Sequence, residues 1–132
     1  MKRERGDEEG QAISLHKLSI LYMLKEDYPA ELARSGEAEA LFSKLGIEAH
    51  LAATLHEQGL VYNRLARAAA SAAEAGRYRQ AAFDRFTEIL AISRRIWDEA
   101  CAADSLTELA RILMGSERYR EAIEFKIGRA HV

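Results

Sequence analysis

The stretch from Glu9 to Tyr28, EGQAISLHKLSILYMLKEDY, decides the fold because altered copies of it occur twice more in the chain. Its small and large apolar residues recur 40 residues later and again after a further 51 residues. Such self-similarity is typical of repeat architectures, in which each copy is one supersecondary unit. The recurring positions are Ala12, Leu15, Leu18, Ser19 and Tyr22 in the first copy, Ala52, Leu55, Gln58, Gly59 and Tyr62 in the second, and Ala103, Leu106, Leu109, Ala110 and Leu113 in the third.

The composition favours helix and limits the possible partners. The 132 residues include one proline and many Ala, Leu, Glu and Arg residues, whereas the strand formers Val and Thr are scarce. A net charge of −2 gives no field of one sign that would attract nucleic acid or a membrane surface. The single cysteine, Cys101, excludes an internal disulfide and fits a reducing compartment. With a charged N-terminus and no apolar run of about 20 residues, we expect a cytoplasmic protein.

The apolar periodicity predicts six helices. They run over about 9–24, 29–45, 48–76, 78–96 and 99–114, and the sixth opens at Tyr119. The third is long because ten surplus residues, the alanine tract 66–75, have high helix propensity. They either extend the third helix to Gly76 or form a separate helix. In the second helix the predicted buried residues are Leu32, Ala33, Ala40, Leu41 and Leu45.

The sequence predicts close helix packing at three equivalent positions and packing of one tryptophan at a turn. Ser19, Gly59 and Ala110 are equivalent in the three copies, and a small residue there lets a neighbouring helix approach closely. Trp97 lies at a predicted helix–helix turn, where we expect it to pack against the helices.

Both ends of the chain depart from the repeat. Residues 1–10 are either a frayed tail or the remnant of a helix from a longer protein. Residues 126–132, KIGRAHV, can be back-translated into the sequence of a common sequencing-library adapter. We therefore interpret them as a non-native C-terminal tail, the alternative being a genuine short tail, and exclude them from the fold.

The copies resemble the tetratricopeptide repeat (TPR) family, in the longer-period form found in bacterial regulatory and signalling proteins. Gly76–Ala81 (GRYRQA) and Glu117–Ala122 (ERYREA) match the family's turn into its second helix. The resemblance implies an all-α solenoid, a right-handed superhelix of three antiparallel helix pairs over 1–125, with units of about 8–45, 48–96 and 99–125. The chain departs from the family in its alanine insertion, in lacking proline at repeat ends, and in Glu31, where the family has a small residue.

The resemblance also implies a function. The first helix of each TPR pair lines a concave groove, so we expect a non-enzymatic scaffold that binds a peptide or partner helix. The alternative is ordinary solvated helix surface. A second hypothesis is an effector-sensing segment of a larger bacterial signalling ATPase or transcription regulator. The groove positions would be His16, Ile20, Met23, His56, Leu60, Asn63, Thr107, Arg111 and Met114.

Other chemistries find little support in the sequence. His16 and His56 belong to different helices without a ligand cluster beside them, so no metal or other cofactor is expected. Cys101 lies on an alanine-rich face typical of a core residue, and no glycine-rich phosphate loop is present. We expect no direct nucleic-acid or membrane partner. Uncapped repeat ends would allow self-association.

Overall fold

The computed structural model describes residues 2–115, which fold into five α-helices. They are α1 (Lys2–Leu24), α2 (Tyr28–Leu45), α3 (Glu48–Ala68), α4 (Ala72–Arg95) and α5 (Glu99–Gly115). The described residues contain no strand, so this part of the chain is all-α, as its composition predicts. No described helix has the length and apolar character needed to cross a membrane. The expected sixth helix, from Tyr119, lies outside the described residues.

The helices pack in chain order. Each contacts the next, and the largest interfaces join α3 to α4 and α1 to α2. The α2–α3 interface is smaller, and α1 makes a few contacts with α3. The described chain is thus a tight α1–α2 hairpin joined through a narrower interface to α3, α4 and α5.

Three of the four turns share one geometry. The first or second residue after the helix is left-handed, with φ of 60° at Glu26, 71° at Gly46 and 60° at Trp97. The N–H of the following residue then donates to a carbonyl five residues earlier, which satisfies a helix-terminal carbonyl and reverses the chain. These hydrogen bonds join Asp27 to Tyr22, Ile47 to Phe42, and Asp98 to Ser93, at 2.9–3.0 Å.

The turn between α3 and α4 differs, and here the prediction of a lengthened third helix ending at Gly76 is wrong. α3 ends at Ala68, residues 69–71 break the helix, and Gly76 lies inside α4. Ser71 is the N-cap of α4, and its hydroxyl accepts a hydrogen bond of 3.1 Å from the backbone N–H of Glu74. The cap and the extensive packing of α4 against α3 outweigh the helix propensity of the alanine tract.

The apolar core forms two main clusters. The first lies between α1 and α2 around Ala12, Ala38 and Phe42, and the second joins α3, α4 and α5 around Leu55, Phe86 and Leu109. The predicted small sites Ser19, Gly59 and Ala110 are all buried, which confirms that part of the repeat pattern.

Several predicted core positions are wrong. In α2, Ala33 and Ala40 are exposed, because the buried stripe instead follows Ala38 and Phe42. Leu18 on α1 is 38% exposed. Trp97 is 89% exposed and therefore does not pack at its turn, because the left-handed backbone there directs the chain without help from the side chain. In the third copy, Ala103 is exposed and its neighbour Ala102 is buried.

Candidate ligand-binding site

A surface cavity of about 460 Å³ lies where α3, α4 and α5 meet. Three arginines from three helices line it, together with one amide and two apolar side chains. The lining residues are Asn63, Ala66, Arg67, Arg79, Arg111 and Ile112.

Helical spacing and chain reversal together assemble this cavity. Asn63, Ala66 and Arg67 follow one another at i, i+3 and i+4, so they share one face of α3. The break at residues 69–71 then turns the chain back along α3, and the rings of Tyr62 and Tyr78 stack with centroids 6.3 Å apart. This stacking places Arg79, the next residue, beside the end of α3.

The cavity carries an excess of positive charge. Arg111 Nη1 lies 2.8 Å from Glu108 Oε1, one turn earlier on α5. Arg67 and Arg79 form no ion pair with any residue in 2–115. Guanidinium groups present planar pairs of donors that match carboxylate and phosphate oxygens, so the cavity is suited to an anionic group.

The predicted groove residues lie in different places on the surface of the protein. Asn63 and Arg111 share the arginine-lined cavity, whereas His56 lines a separate cavity of about 430 Å³ between α3 and α5, together with Asp98 and Cys101. Thr107 is exposed and donates to the Ala103 carbonyl at 3.0 Å.

The remaining groove residues are more enclosed. Ile20, Met23 and Leu60 are half-buried, and Leu60 packs against the α3–α5 core. The Met114 side chain lies outside the described part of the chain. The groove therefore remains a prediction, with Asn63 and Arg111 as the members that share a cavity.

His16 differs most from its predicted role, because it belongs to a buried polar cluster. Its Nε2 lies 3.4 Å from Glu57 Oε1, and the His16 side chain is only 17% exposed. Ser19 Oγ is 2.7 Å from Glu57 Oε2, to which it can donate its proton. Gln58, also buried on α3, donates to Ser35 Oγ at 3.2 Å and to Glu39 Oε1 at 3.0 Å on α2.

Two carboxyl groups dominate this cluster. Glu31 on α2 is completely buried, and Glu57 on α3 is 5% exposed. Burial, followed by the hydrogen bond to Glu57 and the nearby Glu57 charge, raises the pKa of Glu31 to about 9. Burial opposes ionisation of Glu57 too. Hydrogen bonds from His16, Glu31 and Ser19 outweigh that effect and lower the pKa of Glu57.

At neutral pH the pair therefore holds one proton, on Glu31, and one negative charge, on Glu57. No described group donates a hydrogen bond to either carboxyl oxygen of Glu31, so its proton is what joins it to Glu57. This pair was not predicted, although Glu31 stands where the tetratricopeptide repeats that the copies resemble have a small residue. That departure was the available signal.

Within residues 2–115 no three His, Cys, Asp or Glu side chains are grouped to hold a metal ion. Comparison of the chain with protein-family models gives no match, and the curated proteins contain no significant match either.

Proposed function

We propose that this protein is a non-enzymatic interaction module, and that it binds an acidic segment of a partner protein, either a peptide or a helix face, at the arginine-lined cavity. One observation carries the proposal: Arg67, Arg79 and Arg111 come from three different helices and line one cavity. Arg67 and Arg79 form no ion pair among the described residues, which supports recognition of an anionic partner.

Charge complementarity makes an acidic segment the favoured occupant. Hydrogen bonds to charged groups contribute roughly 1.5–3 kcal/mol each, about twice the contribution of neutral ones. Asn63 adds an amide that can bond the backbone of a bound peptide. Because the whole chain carries a charge of only −2, recognition would depend on this local basic surface and not on net charge.

The wider architecture that we propose is a TPR-like solenoid. The recurrent left-handed turns at Glu26, Gly46 and Trp97 support this proposal, as does the packing of each helix against the next. An array of helix pairs presents one continuous surface to an extended partner.

The test uses fluorescence anisotropy with two labelled peptides, one rich in Glu and the other with every Glu replaced by Gln. We expect the acidic peptide to bind more tightly, with affinity that falls as salt rises. Arg67→Glu and Arg79→Glu should each weaken binding at least tenfold. Arg94→Glu is the matched control, because Arg94 is an exposed arginine of α4 outside the cavity. Equal binding of the two peptides, or equal losses at Arg79 and Arg94, would contradict the proposal.

A second candidate is an effector-sensing segment that takes a small anionic molecule at the same cavity. The volume of about 460 Å³ favours it, because small-molecule sites typically span about 300–1,000 Å³. Calorimetry that measures the binding of small di- and tricarboxylates, alone and in competition with the acidic peptide, distinguishes the two candidate functions. Binding of a small acid that excludes the peptide supports the second candidate, whereas peptide binding unaffected by such acids supports the first.

A further inference from the structure

The buried Glu31–Glu57 pair lies in the α2–α3 interface, which is the smallest of the interfaces between consecutive helices in the described chain. Glu31 belongs to the α1–α2 hairpin and Glu57 to α3, and the hydrogen bond between their carboxyl groups joins the two helices. Apolar contact at this interface includes Ile47 and Leu51, which pack against the α1–α2 cluster. The α1–α2 and α3–α4 interfaces are more extensive.

The pair has too few hydrogen-bond donors to carry two charges. Glu57 has Ser19 and His16 from α1 beside it, whereas both carboxyl oxygens of Glu31 lack a donor among the described groups. A buried carboxylate without donors is strongly unfavourable, and a second negative charge opposite makes it worse. One proton between the two acids removes both problems.

We propose that this interface is a proton-gated joint: the α1–α2 hairpin packs against α3 while Glu31 and Glu57 share a proton, and it separates from α3 when that proton is lost. The proton leaves to solvent, and water then reaches Glu31. No covalent bond other than O–H is broken, and the hydrogen bonds from Ser19 to Glu57 and from Gln58 to Ser35 and Glu39 are exchanged for bonds to water.

The groups that face the pair define when the joint opens. From α1 these are His16 and Ser19, from α2 Ser35, which lies near Glu31, and from α3 Glu57 itself. Glu39 of α2 accepts from Gln58 at the edge of the same cluster. His16 is the basic side chain of this cluster, and it contacts Glu57. The groups named above therefore place no basic side chain on Glu31 to balance its charge when it loses the proton.

The chain also provides a place to hinge. α2 and α3 are connected by Gly46 and Ile47 alone, with Gly46 in a left-handed conformation at φ 71°. Small changes of backbone angle at this connection would move the hairpin as a unit. Since α1 and α2 share a large interface of their own, the hairpin keeps its internal packing when it moves.

The test measures the distance between α2 and α4 as a function of pH. Nitroxide labels at Ala40→Cys and Ala91→Cys, both exposed positions, are placed in the full chain carrying Cys101→Ala. Double electron–electron resonance at pH 5.5 should give one distance. At pH 9.5, above the Glu31 pKa of about 9, a longer population should hold more than half of the molecules. Returning to pH 5.5 should restore the first distance.

Glu31→Gln is the deciding variant, because glutamine keeps the size and a donor for Glu57 but does not ionise. It should give the short distance at both pH values. A long population that also appears in Glu31→Gln at pH 9.5 would overturn the proposal, as would an unchanged distance in the parent protein.

A measurement on the parent protein alone covers the case in which Glu31→Gln does not fold. The infrared C=O band of a protonated carboxyl should vanish over the same pH range in which the long distance appears. Different midpoints for the two transitions would contradict a joint held by that proton.

Discussion

The ring of Phe86 on α4 lies directly against the backbone of Gly59 on α3. A Cβ built at residue 59 would come within 2.6 Å of Phe86 Cζ and 2.7 Å of Cε2. Phe86 is itself completely buried, so its ring has little room to move away. The absence of a side chain at Gly59 is therefore what lets α3 and α4 form so large an interface.

Gly59→Ala should destabilise the protein even though alanine is the better helix former. Helix propensity favours the change by about 1 kcal/mol, whereas overpacking a core typically costs about 1–3 kcal/mol. We expect the clash to dominate and the free energy of unfolding to fall by up to about 2 kcal/mol. Urea denaturation followed by circular dichroism measures it.

Gly36→Ala is the matched control for this prediction. Gly36 lies inside α2, is exposed, and has no atom within 4 Å of a built Cβ. Because alanine meets no neighbouring atom there, only its higher helix propensity acts, and the free energy of unfolding should rise by up to about 1 kcal/mol. If Gly59→Ala stabilised the protein as much as Gly36→Ala, the close approach of α3 and α4 would be disproved.

Stability should fall as pH rises through neutrality because of Glu31. The pKa of Glu31 is about 9 in the folded protein against 4.5 for an unperturbed glutamate, so between these values the folded state holds one proton more than the unfolded state. Each pH unit in this window then lowers the free energy of unfolding by up to about 1.4 kcal/mol. Glu57 acts oppositely: its lowered pKa adds stability that is lost only as pH falls below the ordinary range of a carboxyl.

Glu31→Gln isolates this contribution. The difference in stability between the variant and the parent protein should grow in the variant's favour from pH 5 to pH 8, because only the parent must keep Glu31 protonated. Denaturation curves at four pH values provide the measurement. A difference that stays constant with pH would show that Glu31 ionises normally in the folded state.

Trp97→Gly should stabilise the protein by about 1 kcal/mol. Residue 97 has φ 60°, a conformation that costs a residue with a Cβ roughly 1–2 kcal/mol and costs glycine little. The side chain is 89% exposed, so its removal loses little packing. Trp97→Ala keeps the backbone cost and should leave the melting temperature nearly unchanged. Equal effects of the two substitutions would rule out backbone strain as the cause.

Where a local signal decides the structure, the sequence predicts it correctly. The turn after α2 is determined by Gly46, which readily adopts a left-handed backbone. The start of α5 at Glu99 is determined by Asp98, whose side chain caps the helix by accepting a hydrogen bond of 3.0 Å from the Cys101 N–H. The end of α3 was missed because the alanine tract favours helix throughout. Ser71 followed by Glu74 is the capping-box pattern that marks the new start.

The candidate sites depend on contacts that no single helix specifies. Asn63 and Arg111 line the same cavity, and Arg79 joins them only because the chain reverses before α4. The local sequence around Glu31 is typical of a solvent-exposed helix residue, whereas in the fold α3 packs over it and buries it together with Glu57. Burial of a charged side chain depends on its partner helix, which lies outside the local pattern.

The binding of an acidic partner at the arginine-lined cavity is tested most directly by NMR titration of the labelled full chain with a Glu-rich helical peptide. We predict that the shift changes centre on the Asn63 side-chain amide and on the side-chain Nε–H signals of Arg67, Arg79 and Arg111, and that Arg79→Glu abolishes them. Changes centred on the cavity beside His56, or no changes at peptide concentrations well above that of the protein, would contradict the account.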